Sequence, residues 1–104
     1  MVSYQVHAHV RHEVYETFIS WMGEVHIPEL LKVPGFVDAE ILYRKGGSME
    51  SSGKEVKIIY HLENEEALKT YLAGPAMSLR EKVLDKFPGQ FSMHREVWLE
   101  SKKF

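Results

Sequence analysis

Six histidines and no cysteine set the chemistry open to this 104-residue chain. His7 and His9 alternate with apolar residues, so they share one face of a strand. His61 and His94 stand in two other alternating stretches and would approach them from neighbouring strands. Neutral imidazole ligates zinc, copper or iron, and near neutral pH it also serves as a general base. No spacing among these histidines matches a recognised metal signature, so no metal site and no cofactor are expected. They are expected to line a wet cavity or a dimer seam, hydrogen-bonded to Glu96, Glu40 or water.

The missing cysteines exclude disulfides, thiolate catalysis and cysteine-ligated zinc or iron–sulfur centres. There is no nucleophile-elbow G-x-S-x-G, no P-loop and no dinucleotide glycine fingerprint. Lys and Arg number 13 against 15 Asp and Glu, a net charge of −2. The dense positive surface that phosphate contacts require is absent, so no nucleic-acid partner is expected. Met1 to Gln5 lacks the basic start and apolar core of a signal peptide, and no apolar run is long enough to span a bilayer. A cytoplasmic protein without a membrane partner is the expectation.

Other residues have two readings each. Trp98 falls on the face opposite the apolar set of its strand, where it would anchor a dimer or wall a ligand site. His26 comes near the expected end of a helix, where it would meet the last carbonyls or point into the mouth of a cavity. Arg80 and Arg11 read as solvated or ion-paired arginines, or as carboxylate binders. Trp21 and Tyr71 read as core residues. Glu63, Glu65 and Glu66 read as the acidic start of a helix rather than a catalytic pair.

These residues need a scaffold. Val2 to Val10 alternate strictly and predict β1. From about His12 the period lengthens to that of a helix, with Val14, Phe18, Trp21 or Met22, and Val25 on its apolar stripe. Pro28 is expected to kink or end it, with one further turn at Glu29–Lys32, and Pro34-Gly35 to break it. Phe36–Arg44 predicts β2. Lys45–Lys54 is Gly/Ser-rich and reads as a long, mobile loop. Glu55–Glu63 predicts β3. Asn64 would cap a helix interrupted at Gly74-Pro75 and stopped at Pro88-Gly89. Phe91–Leu99 predicts β4.

The order β-α-β-β-α-β predicts an α+β, ferredoxin-like sandwich spanning residues 1–104 as a single domain. Its four-stranded antiparallel sheet, order 4-1-3-2, would carry the helices on one face. The other face would show Gln5, His7, His9 and Arg11 from β1, and Lys57, Ile59, His61 and Glu63 from β3. From β4 it would show Ser92, His94, Glu96 and Trp98. On β2 the parity groups Phe36 with Leu42, against Ala39, Ile41 and Tyr43. A face mixing histidines and acids with Leu42, Ile59 and Trp98 calls for a partner.

Several stretches resemble a family of short uncharacterised bacterial proteins. They are Tyr4-Gln5-Val6-His7, Trp21-Met22 with His26, Leu30, Pro34-Gly35-Phe36, Tyr60-His61-Leu62, Leu68, Tyr71-Leu72, Leu79-Arg80 and Phe91-Ser92. That family is similar to the dimeric α/β-barrel superfamily of antibiotic-biosynthesis monooxygenases and muconolactone isomerases. The resemblance spans Tyr4 to about Trp98 and implies a homodimer in which two sheets form one barrel. It brings no catalytic set.

The expected function is therefore binding of a small apolar or aromatic molecule between the two sheets, with His7, His9, His61, His94 and Trp98 as the site. The alternatives are a cofactor-free monooxygenase or isomerase, and a structural dimer with a filled barrel.

Overall fold

The alternation at the start of the chain becomes β1, Val2–Arg11. The computed structural model describes residues 1–45 and 52–104. A 3-10 turn, His12–Val14, leads into α1, Tyr15–Trp21. A π-helical stretch, Met22–His26, runs on into α2, Ile27–Leu31. Then come β2, Phe36–Tyr43, and β3, Gly53–Leu62. Helices α3, Glu65–Ala73, and α4, Ala76–Lys86, precede β4, Phe91–Trp98. The expected loop at 46–51 lies outside the described residues.

All strand pairs are antiparallel in the order β2-β3-β1-β4, the expected ferredoxin-like sheet. Alternate residues of β1 and β3 face the helices. Val6, Val10, Val56, Ile58, Tyr60 and Leu62 pack there against Phe18, Met22, Leu30, Leu68, Tyr71 and Val83. Each fully buried apolar side chain contributes about 1.5–3 kcal/mol relative to exposure. Phe36 stands edge-on to Tyr71 and Tyr60, and closes the sheet side of this core.

Helix ends follow local chemistry. The Asn64 side chain accepts a hydrogen bond from the Ala67 backbone N–H at 2.9 Å, capping α3 as expected. Gly74-Pro75 separates α3 from α4, with Pro75 at the N-cap of α4. Gly53 opens β3 two residues earlier than expected, and a side chain there would run into the Val10 carbonyl.

Two expectations are corrected. Of the two outcomes expected at Pro28, the helix does not end there, and the further turn expected after it is present within α2. Ile27 N–H reaches back to the Met22 carbonyl, five residues away, and the backbone stays helical through Met22, His26 and Ile27. This wide turn carries the chain past the proline, whose ring would otherwise press on the carbonyl four residues back. The extra residue also shifts the phase of the buried stripe. His26 turns inward at 7% exposure, while Val25 turns out at 40%. The second correction concerns β2. A register shift between Phe36 and Asp38 puts Phe36 on the helix side with Ala39 and Ile41, leaving Asp38, Glu40 and Leu42 on the open side.

Gly35 makes the turn from α2 into β2 with φ at +93°, and any Cβ there would collide with the Ala67 side chain. Gly35→Ala is expected to cost roughly 2–4 kcal/mol in urea unfolding, from strain and overlap together. Pairing it with Ala67→Gly should cost less than the sum of the two single changes. Strict additivity would disprove the contact.

Candidate functional site

The register of β1 builds the open face in rows. His7 sits opposite His94 on β4 and Lys57 on β3, and Lys57 sits opposite Leu42 on β2. The next row toward the end of β1 is Ser92, His9 and Glu55. In the other direction come Glu96, Gln5, Ile59 and Glu40, then Trp98, Ser3, His61 and Asp38. All four expected histidines and Trp98 thus stand on this face, and the expected parity of β3 and β4 holds.

They do not form one group. A concavity of about 530 Å³ is floored by His7, His9 and His94, with Leu42, Lys57 and Ser92 beside them. Its rim carries an ion pair between Arg44 and Glu55. His61 and Trp98 lie four residues along the strands from His7, roughly 14 Å at strand spacing. There His61 Nδ1 is 2.6 Å from Asp38 Oδ1, a local pair across β2 and β3. Trp98 Nε1 donates to Glu96 Oε2 at 3.2 Å.

At the floor, the His7 and His94 rings stack at 4.5 Å with their planes 15° apart. Glu96 points back toward both. Its Oε2 is 3.7 Å from His7 Nε2 and its Oε1 4.0 Å from His94 Nε2. His7 Nε2 is buried and has no hydrogen-bond partner among the described residues. Leaving such an atom unpaired costs about 1–3 kcal/mol. Arg44, Tyr43 and Glu55, which border the concavity, were not singled out in the sequence. They sit where β2 ends and β3 begins, and only the pairing of those strands brings them to the rim.

Arg80, read as solvated or as a ligand for a carboxylate, instead donates from Nη2 to the Tyr4 hydroxyl at 2.9 Å, between α4 and β1. It borders a crevice of about 20 Å³ on the helix side, with His26, Tyr60, Tyr71 and Arg95. His26 stacks on Trp21 at 5.3 Å, so neither of its sequence readings applies. Burial lowers its imidazole from 6.5 to about 4; Glu29 opposes that fall, and Lys82 and Arg95 add to it. Burial likewise raises the Tyr71 phenol to about 12.

The family model described as a domain of unknown function (DUF4286) matches residues 1–101. No curated protein sequence matches the chain. Solved structures do. A dimeric ferredoxin-like protein from an uncultured marine organism aligns over 99% of this chain and 97% of its own, with TM-score 0.74 and 10% identity. SnoaB, a cofactor-independent oxygenase from Streptomyces nogalater, aligns over 98% and 95%, with TM-score 0.65 and 16% identity. The heme-degrader MhuD from Mycobacterium tuberculosis, with two hemes bound in its active site, aligns over 100% and 99%, with TM-score 0.70 and 14% identity. At these identities the likeness is one of fold.

The depressed His26 value makes stability depend on pH. Unfolded, the ring titrates near 6.5, and folded near 4, so its contribution is complete above pH 6.5 and drains away as pH falls toward 4. The full span is worth about 3 kcal/mol. Urea unfolding at a series of pH values should show that acid slope, and His26→Gln should flatten it. An unchanged slope in the variant would assign the acid sensitivity elsewhere.

Proposed function

The chain belongs to the family of the domain of unknown function DUF4286, and from that premise we propose that it binds a small apolar or aromatic molecule as a homodimer. The two open sheet faces meet, and His7, His9 and His94 floor the enclosed space. His61 and Trp98 lie at the far end of the same face, as seam residues that close the space.

The observation that carries this reading is the composition of the open face. An antiparallel sheet with one face in water is normally polar on that face. Here Leu42 and Trp98 remain about half exposed on it, and Ile59 is nearly buried there at 9%. A concavity of about 530 Å³ falls within the size range of small-molecule sites. Its apolar wall at Leu42 and its convergent imidazoles suit a flat ring bearing a hydroxyl or similar polar group. The comparison with MhuD adds that one protein of this fold holds large flat aromatic molecules. A dimeric ferredoxin-like neighbour of matching length adds support for the paired arrangement.

Sedimentation equilibrium is expected to give about twice the 12.1 kDa chain mass. Leu42→Glu, outside the core, should give a monomer with an unchanged circular dichroism spectrum. Titration of the dimer with phenol, 1-naphthol and indole should shift the ring resonances of His7, His9 and His94 saturably for at least one of them. A wild-type monomer, or no saturable shift with any of the three, would overturn the reading.

A further inference from the structure

Three side chains on the open face bring potential metal-ligand atoms close together. His7 and His94 are directly opposite in the β1–β4 register, and their rings stack. Glu96 follows His94 by two residues on the same face, and its two oxygens face the two Nε2 atoms. One ligand atom from each of the three lies within 4.8 Å of the others. At 3.7 and 4.0 Å the histidine–carboxylate contacts are too long to be hydrogen bonds. His7 Nε2 is buried and unpartnered among the described residues. Two imidazole nitrogens and a carboxylate oxygen brought this close, with one nitrogen buried and unpartnered, form a ready set of ligand atoms for a cation.

We propose that His7, His94 and Glu96 bind a divalent first-row transition-metal ion on the floor of the sheet cavity. Two imidazole nitrogens and one carboxylate suit zinc, cobalt, nickel or iron and are a poor set for magnesium or calcium, which take oxygen ligands. Bond lengths near 2.1 Å put ligand atoms about 3–3.5 Å apart, so the set must contract by roughly 1 Å. His94 and Glu96 are the more exposed members, at 68% and 42% of their side chains, and small side-chain rotations can close the distance. Half-buried His7 is the fixed one. Glu96 is already oriented by the Trp98 indole N–H, the kind of outer partner that ligating carboxylates keep. Three protein ligands leave at least one coordination position for water or another ligand. Lys57, opposite His7 on β3, is a neighbouring cation that limits affinity.

The site goes beyond the binding reading above, because one chain supplies every ligand. Metal-free, untagged protein titrated with Co²⁺ and Zn²⁺ should take up one equivalent per chain. Co²⁺ should show visible absorption of a nitrogen/oxygen site, and Zn²⁺ should displace it. His94→Ala and Glu96→Gln, both outside the core, should each weaken binding at least tenfold, and His61→Ala should leave it unchanged. Zn²⁺ should shift the ring protons of His7 and His94 and not those of His61, which reads the site without any substitution. Metal uptake per chain should be the same across a dilution series that spans monomer and dimer, which separates this site from the dimer. Absence of saturable binding, or binding that survives both His94→Ala and Glu96→Gln, or that is lost equally in His61→Ala, would overturn the proposal.

Discussion

The antiparallel register of β1 between β3 and β4 is the constraint on which the rest depends. β1 is paired along nearly its whole length on both sides, and every one of its residues has a neighbour that shares its face. The side-chain period is two, so a slip of one residue would carry Tyr4, Val6, Ala8 and Val10 into the open face and the histidines into the core. Burial of the apolar set therefore fixes the histidine positions without any interaction among the histidines. The hydrophobic term locks the register, and the register delivers His7 opposite His94.

The helix layer meets that sheet through two local departures from regular geometry. The π-helical stretch admits Pro28 and turns His26 inward against Trp21. The left-handed turn at Gly35 lets β2 start directly beneath α3, where Ala67 leaves no room for a side chain. Together with the shift after Phe36, these place an aromatic cluster of Tyr4, Phe36, Tyr60 and Tyr71 between the layers. Arg80 reaches the Tyr4 hydroxyl there, so the core keeps a polar end. None of this reaches the open face. Packing and candidate chemistry are divided by the plane of the sheet.

That division explains what was legible in the residues beforehand. Strict alternation in β1 and β3 needs no tertiary information, and the faces of His7, His9 and His61 follow from it. The parity of β4 was open by one residue in the sequence, because Val97, Trp98 and Leu99 put apolar side chains on both faces, and its pairing with β1 fixes it. What period counting misses is any added residue. The wide helical turn moved Val25 out and His26 in, and the register shift in β2 moved Phe36 across the sheet. Distances along the strands were equally hidden. His61 and Trp98 share the face of His7 yet stand two rows away, and only the pairing of β1 with β3 and β4 reveals it.

The convergence of His7, His94 and Glu96 is of the same kind, because a ligand set assembled across strands leaves no spacing signature. His7 and His94 are 87 positions apart and adjacent only through the ladder. A sheet selected for stability alone has little reason to hold them so. One buried, unpaired imidazole nitrogen costs free energy that a threonine pair at those positions would avoid. Costs of this sort persist at sites where strain or an unsatisfied group is used. The open face carries that cost at its centre, beneath the concavity and beside Leu42, where a second sheet would exclude water. In that drier setting an unpaired nitrogen becomes more costly still, and a bound cation or a donor on a ligand correspondingly more favourable.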